Sequence, residues 1–194
     1  MNIAALILAG GQGTRLGGVD KAFLSLAGQP LITHVLARLG PHVPGIAISA
    51  NGDPARFAAF GRPVLPDPPA FLGQGPLAGV AAGLIWARSM GAQALLTLPV
   101  DTPFFPSDLA ARLHPAPAVA AYAGRQHHLV ALWEVAFAPA LADFLRGPGP
   151  YRVRVALDLA GARHVEMSDP ADPFLNINSL ADLDKADIRA SDSA

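Results

Sequence analysis

Cysteine is absent from this chain of 194 residues. Without a thiol there is no disulfide framework, no zinc knuckle and no thiol nucleophile. Charge is scarce as well: Asp, Glu, Lys and Arg make up 15% of the residues, and the net charge is −1. A nucleic-acid binder carries a basic surplus, and this composition has none. No apolar run reaches the ~18 residues that suggest a membrane span. The opening Met1-Asn2-Ile3-Ala4-Ala5-Leu6 lacks the charged start of a secretory signal. The expectation is a cytoplasmic protein that engages neither nucleic acid nor membrane. The chain is 52% hydrophobic, enough for one large core, and its length suits a single domain over 1–194.

Short apolar runs alternate with segments of helical spacing. Strands are expected at Ile3–Leu8, Gly45–Ala50, Pro63–Leu65 and Ala94–Leu98. Helices are expected at Pro30–Leu39, Leu77–Ser89 and Val135–Leu145, with one or two helical turns over Pro54–Phe60. Ser107 reads as the N-cap of a helix ending at Leu113, with Asp108 in its first turn. Residues 66–76 read as loop, and the end of the chain from Asp187 reads as frayed. Apolar runs at Ala118–Tyr122 and His128–Glu134 suggest antiparallel additions, with 124–128 as a hairpin tip. Trp86, Trp133 and the phenylalanines read as core. The pattern predicts an α/β fold, a three-layer sandwich around a mostly parallel, Rossmann-like sheet. In such sheets ligands bind beyond the carboxyl ends of the strands. The glycine loop after Leu8 and Ala9, together with Asn51, Asp67 and Asp101, sits just after expected strands and so on one edge.

The segment Leu8-Ala9-Gly10-Gly11-Gln12-Gly13-Thr14-Arg15-Leu16-Gly17-Gly18-Val19-Asp20-Lys21 carries the most chemistry. Its glycines let backbone N–H groups approach an anion closely. Arg15 can fork onto phosphate oxygens and Lys21 can supply a point charge. The segment is neither of the two best-known phosphate loops. Lys21 follows Asp20 and precedes Ala22, unlike a P-loop lysine, and Gly11-Gln12-Gly13 is followed by Thr14-Arg15-Leu16, which lacks the last glycine of the dinucleotide fingerprint. Asp101 after a strand can hold Mg²⁺, or it can serve as an ordinary turn aspartate. Asn51 and Asp67 likewise fit turn chemistry or recognition of a polar ligand. Asn176 and Asn178 would share one face of a strand, and Asn178 is equally placed to cap a helix starting near Ser179. The histidine pair His127-His128 has no other ligands at zinc-like spacing.

The segment matches the pattern Leu-Ala-Gly-Gly-x-x-x-Arg-x-Gly-x-x-Lys, with Arg15 one place nearer or farther according to how the glycines are aligned, and so resembles the opening signature of the nucleotidyltransferases that activate sugars and cofactors. Gly17-Gly18-Val19-Asp20-Lys21, Gly75-Pro76-Leu77-Ala78-Gly79, Asp101-Thr102-Pro103-Phe104 and Asn176-Ile177-Asn178 resemble markers of the molybdenum cofactor guanylyltransferase family. They are spread over nearly the whole chain. The resemblance implies a fold of the nucleotide-diphospho-sugar-transferase type and transfer of GMP from GTP to molybdopterin, with Mg²⁺ as cofactor. It further implies that Leu8, Ala9, Gly10, Gly11, Gly13, Lys21, Asn51, Asp67 and Asp101 contact the nucleotide. Arg15, Lys21 and Asp101 would serve catalysis, with Asp101 as the metal ligand. Arg152, Asn176 and Asn178 would face molybdopterin. Tyr151 stands where the family often has a further arginine. GTP and molybdopterin are the implied partners, with room for transient contact with other cofactor-biosynthesis proteins or recipient molybdoenzymes. A cytidylyltransferase or sugar-phosphate enzyme is the near alternative. Leu-Ala-Gly-Gly in place of Leu-Ala-Ala-Gly, and Asp-Thr-Pro in place of Asp-Met-Pro, favour guanylyl transfer. A non-catalytic nucleotide-binding module is the distant alternative, and it would be expected to have lost Lys21 or Asp101.

Overall fold

The structure is a computed structural model and describes residues 2–10, 20–40 and 42–191. Its elements in chain order are β1 (Ile3–Leu8), β2 (Ser25–Leu26), β3 (Gln29–Pro30), α1 (Leu31–Leu39), β4 (Gly45–Ser49), β5 (Val64–Leu65), α2 (Pro76–Ser89), β6 (Ala94–Pro99), α3 (Leu109–Leu113), β7 (Ala118–Tyr122), β8 (Arg125–Glu134), α4 (Ala138–Arg146), α5 (Val153–Leu159), β9 (Arg163–Met167) and α6 (Leu180–Ser191). Seven strands form one sheet in the order β5-β4-β1-β6-β8-β7-β9, and β2 pairs only with β3. From β5 to β6 every pairing is parallel. β8 runs antiparallel to both β6 and β7, and β9 lies parallel to β7.

β1 lies inside the sheet, between β4 and β6, because Ala4 to Ile7 are apolar on both faces, and all four are buried. One face packs against α1 and α3 through Ile32, Val35, Leu39, Leu109 and Leu113. The other packs against α2, α4 and α5 through Leu77, Leu84, Leu141, Leu145 and Leu157. The expected three-layer sandwich is therefore present. α2 lies close to the sheet because Gly79 and Gly83 have no side chains. A Cβ at Gly83 would stand 2.6 Å from Leu6 and 2.9 Å from Leu95. Trp133 is fully buried and its indole N–H donates to Thr97 Oγ1 at 3.1 Å. Trp86 is only half-buried and packs against Gly45 at the rim.

Several local expectations are corrected. Ser107 does not cap α3. The chain enters that helix through a turn in which Leu109 N–H donates to Pro106 O, which leaves Asp108 in the cap position. The Asp108 carboxylate pairs with Arg112 at 2.8 Å. Residues 135–137 form a 3-10 turn before α4 begins. The hairpin tip is Ala123-Gly124, both at positive φ (49° and 75°), so Arg125 to His128 belong to β8. Two residues at positive φ make the tight turn that matches strand twist. Residues 175–178 form no strand ladder; Ile177 N–H instead donates to Asp101 O at 2.9 Å. The stretch from Asp187 is not frayed as far as Ser191. It is the last part of α6, tied down by Asp187 accepting from Ala27 N–H at 2.7 Å and by the Arg189 guanidinium 4.4 Å from the Phe104 ring centre. Among the described residues no helix is long and apolar enough to cross a membrane.

Candidate active site

Parallel strands that end together leave their following loops on one edge. The loops after β1, β4, β5 and β6 line a cavity of about 480 Å³ there. Leu8, Gly10, Lys21, Asn51, Asp67, Asp101 and Asn176 all line it, so seven of the residues singled out in the sequence meet in one place. Ala9 is buried beside them, its N–H donating to Ser49 O at 2.9 Å. Gly11, Gly13 and Arg15 lie outside the described residues. Arg152 is exposed just before α5 and does not line the cavity.

Lys21 is placed by a 3-10 turn over Lys21–Phe23, which the Asp20 carboxylate caps by accepting from Ala22 N–H at 3.1 Å. From there its ammonium reaches Asp101 Oδ2 at 2.8 Å. It also donates to Asn178 Oδ1. Both side chains of the ion pair are largely buried, 20% and 14% exposed, so solvent screens the pair less than it would a surface bridge. The other carboxylate oxygen, Asp101 Oδ1, is buried with no hydrogen-bond partner among the described residues. Asn176 Oδ1 is in the same state. Two buried acceptor oxygens without donors, both in residues of one cavity, are the mark of a site that a ligand completes.

Asn51 and Asp67 hold each other. The Asn51 amide donates to Asp67 Oδ2 at 2.8 Å, and Asp67 N–H donates to Asn51 Oδ1 at 2.9 Å. The Asn51 carbonyl in turn accepts from Arg56 at 2.9 Å, and Arg56 pairs with Asp20 at 2.8 Å. One guanidinium thus joins the β4 loop to the turn that carries Lys21. Asn178 is not the helix cap. Ser179 takes that place: its Oγ accepts from Asp182 N–H at 3.2 Å and donates to Asp182 Oδ2 at 2.8 Å, while Asp182 Oδ2 accepts from Asn178 N–H at 3.1 Å. This reciprocal capping box leaves the Asn178 side chain free to hold Lys21.

Ser49, Gly73 and Leu129 also line the cavity and were not expected there, and Gly79 does so from the Gly75–Gly79 segment that the sequence offered as a family marker. Gly73 had a local signal, since a glycine inside a proline-rich loop is a candidate for positive φ, and its φ is 79°. Gly79 keeps the first turn of α2 against Ser49 and Leu8. Leu129 had no local signal, because it arrives through the non-local pairing of β8 with β6.

Beside this cavity a smaller one of about 200 Å³ is lined by Arg125 to Val130, Pro99, Thr102 and Asn176. Burial lowers the pKa of both His127 and His128, and Arg154 adds to the effect at His128. Burial therefore favours the neutral form of both imidazoles.

The profile of the MobA-like NTP transferase domain matches residues 5–162. A molybdenum cofactor guanylyltransferase of Acidiphilium cryptum is 59% identical over 186 residues, covering 96% of this chain and 94% of that protein. One from Rhodobacter capsulatus is 48% identical, with all of both chains covered. Among solved structures, molybdopterin-guanine dinucleotide biosynthesis protein A from Archaeoglobus fulgidus superposes with a TM-score of 0.76 at 20% identity, covering 97% of this chain and 99% of that one. CMP:2-keto-3-deoxy-manno-octonic acid synthetase in complex with CTP superposes with a TM-score of 0.72 at 16% identity, so it shares the fold. The match runs from β1 through α5 and includes the strands whose ends build the cavity, so the chain belongs to the MobA-like NTP transferase family.

Proposed function

We propose that this chain, working as one domain over 1–194, transfers GMP from GTP to molybdopterin carrying molybdenum and releases pyrophosphate. The relatives named as molybdenum cofactor guanylyltransferases support the substrates. The observation that carries the chemistry is the buried Lys21–Asp101 pair with one Asp101 oxygen left unsatisfied. A terminal phosphate oxygen of the acceptor attacks the α-phosphorus of GTP. The bond from that phosphorus to the β-phosphate bridging oxygen breaks, and pyrophosphate departs with the electron pair. The attacking phosphate is already ionised near neutral pH, so no general base is needed. Catalysis is then positioning and neutralisation of charge.

Lys21 supplies a positive charge toward the triphosphate, and Asn178 and Asp101 hold its ammonium in place. Backbone N–H groups from Gly10 to Gly13, with Arg15, complete the phosphate cradle in this reading. Asn51 and Asp67, locked together, present an amide and a carboxylate to the nucleoside. Guanine offers an N1–H and an exocyclic amine as donors, which a carboxylate can accept. Asn176 and Asn178 stand at the acceptor end, Asn178 while gripping Lys21, and Arg152 is a more distant contact for the acceptor. Asp101 fits a magnesium ion: its unpartnered oxygen is a hard acceptor, and Mg²⁺ commonly takes one or two carboxylates plus substrate phosphates. No group of three or more His, Asp or Glu among the described residues could hold a metal by itself, so substrate and water would supply the remaining ligands. When bound, the ion neutralises charge on the phosphate oxygens. Use of GTP fits a cytoplasmic location, and delivery of the product implies transient contact with recipient molybdoenzymes or other cofactor-biosynthesis proteins.

The test is pyrophosphate release from a panel of nucleoside triphosphates with molybdopterin as acceptor. GTP should exceed CTP by ~10² or more, because polar groups matched to guanine are left unpaired by the wrong base. Equal rates with CTP would remove the guanylyl assignment and leave nucleotidyl transfer standing.

A further inference from the structure

The cavity beside the nucleotide cavity has a wall in common with it, formed by Pro99, Leu129 and Asn176. It exists because β8 changes its pairing there. Val119 lies opposite Ala131, yet Ala121 lies opposite Gln126, so β8 spends more residues than β7 between those two pairs. The surplus forms a bulge over 127–130, beyond the point where Thr97 of β6 pairs with Ala131. Bulges at such positions re-aim side chains out of the regular alternation. Here His127 turns toward Phe174, with ring centres 4.7 Å apart. Gln126 Oε1 lies 3.0 Å from His128 Nε2, and Gln126 Nε2 lies 3.1 Å from His164.

The chemistry of this wall is specific. Among the described residues it offers the imidazoles of His127 and His128, the amides of Gln126 and Asn176 and the Thr102 hydroxyl, with a single exposed cation at Arg125. A neutral imidazole donates through one nitrogen and accepts through the other. A phosphate would be matched by cations, and a metal by converging ligands, which the described residues do not supply. A flat heterocycle with several donors and acceptors in its plane fits the set. Its ring face can lie on an aromatic surface, and its N–H groups can satisfy Asn176 Oδ1, which is buried without a partner at the wall between the two cavities. We infer that the ring system of the pterin acceptor binds in this second cavity, recognised by Gln126, His127 and Asn176, so that its phosphate emerges past Asn176 toward Asp101. This rests on the two-substrate reading given above, and it adds a ring subsite on the bulge of β8.

Two measurements on the full chain test it: equilibrium retention of molybdopterin on ultrafiltration without nucleotide, and KM for each substrate in turnover. Gln126→Ala and His127→Ala should each weaken molybdopterin retention and raise its KM ~10-fold, the loss of one ligand hydrogen bond, while KM for GTP stays within about twofold. Because His127 packs on the buried Phe174, unchanged GTP binding serves as the check that the fold is intact, and Gln126→Ala carries the test alone if His127→Ala fails it. If both variants retain molybdopterin as wild type does, the ring lies elsewhere and the inference falls while the reaction stands. A parallel rise in both KM values would mean a merely structural role and also overturns it. If wild-type protein retains no molybdopterin, the acceptor assignment itself fails, and this inference with it.

Discussion

The two halves of the sheet reach the active site in different ways. From β5 to β6, four parallel strands each hand over to a loop whose first residues line the main cavity: Gly10 after β1, Asn51 after β4, Asp67 after β5, and Val100 and Asp101 after β6. From β8 to β9 the sheet is mixed, β8 running antiparallel to both of its neighbours and β9 parallel to β7, and residues arrive by other routes. Leu129 comes from inside a bulged strand, and Asn176 from a segment without a ladder, held at Ile177 by one backbone bond to Asp101. In the first half, position in the chain is position in the site. In the second, the site depends on pairings between residues far apart. The first half therefore has the character of a fixed reaction platform, and the second that of an attachable wall.

On that contrast, the gravest losses come from the platform. Asp101→Asn keeps size and hydrogen bonding but removes the charge that faces Lys21 and leaves no anionic oxygen for a cation. Turnover should fall on the order of 10²–10³-fold, with the circular dichroism spectrum unchanged because Asp101 sits in a loop. Near-normal turnover would reduce Asp101 to a turn residue.

Next in size is Lys21→Ala, which removes a charge-assisted phosphate contact of ~1.5–3 kcal/mol. GTP affinity, read by calorimetry, should drop accordingly, whereas Asn176→Ala should bind GTP almost as wild type does. Asn178 sharpens the comparison, since its amide oxygen holds Lys21. Asn178→Ala should weaken GTP as well as molybdopterin. Equal GTP affinity in Asn178→Ala and Asn176→Ala would place Asn178 wholly on the acceptor side.

The same division governs what could be read before the fold was known. Ile3–Leu8 is a continuous apolar run and Ala94–Leu98 one broken only by Thr97, and glycine or aspartate follows within a few residues, so strand, turn and site residue are encoded within neighbouring positions. Lys21 and Asp101 were identifiable one by one, but their 2.8 Å pairing across the chain was not. In the second half, β9 and α5 were missed because Arg163–Met167 and Val153–Leu159 carry charges among their apolar residues. The bulge in β8 was invisible because it arises from a mismatch with a partner strand. The sequence leaves Asn178 open between a ligand contact and a helix cap, and Ser179 emerges as the cap only when Asp182, three residues on, is counted in.

A third prediction probes the packing beneath the platform. Gly83→Ala raises intrinsic helix propensity by ~1 kcal/mol, but its methyl would press on the side-chain ends of Leu6 and Leu95, both fully buried between α2 and the sheet. Overpacking of this kind costs ~1–3 kcal/mol, so the clash should win and the melting temperature should fall. A higher melting temperature would mean that α2 can lift from the sheet more easily than its contacts suggest.

The smallest expected effect lies in the wall. Ser179→Ala removes the hydroxyl that caps α6 and that donates to Asp182. Loss of a serine cap costs ~1 kcal/mol. The Ser179 hydroxyl, together with the Asn178 N–H, holds the Asp182 carboxylate below its ordinary pKa of 3.8. A carboxyl with a depressed folded pKa adds stability that is fully present above its unfolded pKa and is lost as pH falls through the folded value. Wild-type protein should therefore lose part of the α6 anchorage on the acid side of pH 3.8, and Ser179→Ala should show less of that loss because less is there to begin with. Thermal melts at pH 7 and in the acid range measure both effects. GTP affinity then gives the functional reading: Asn178 adjoins Ser179 and grips Lys21, so loosening the cap should weaken GTP binding slightly, by much less than Lys21→Ala does. A drop in melting temperature with GTP affinity wholly unchanged would show that the capping of α6 and the Asn178–Lys21 contact are uncoupled.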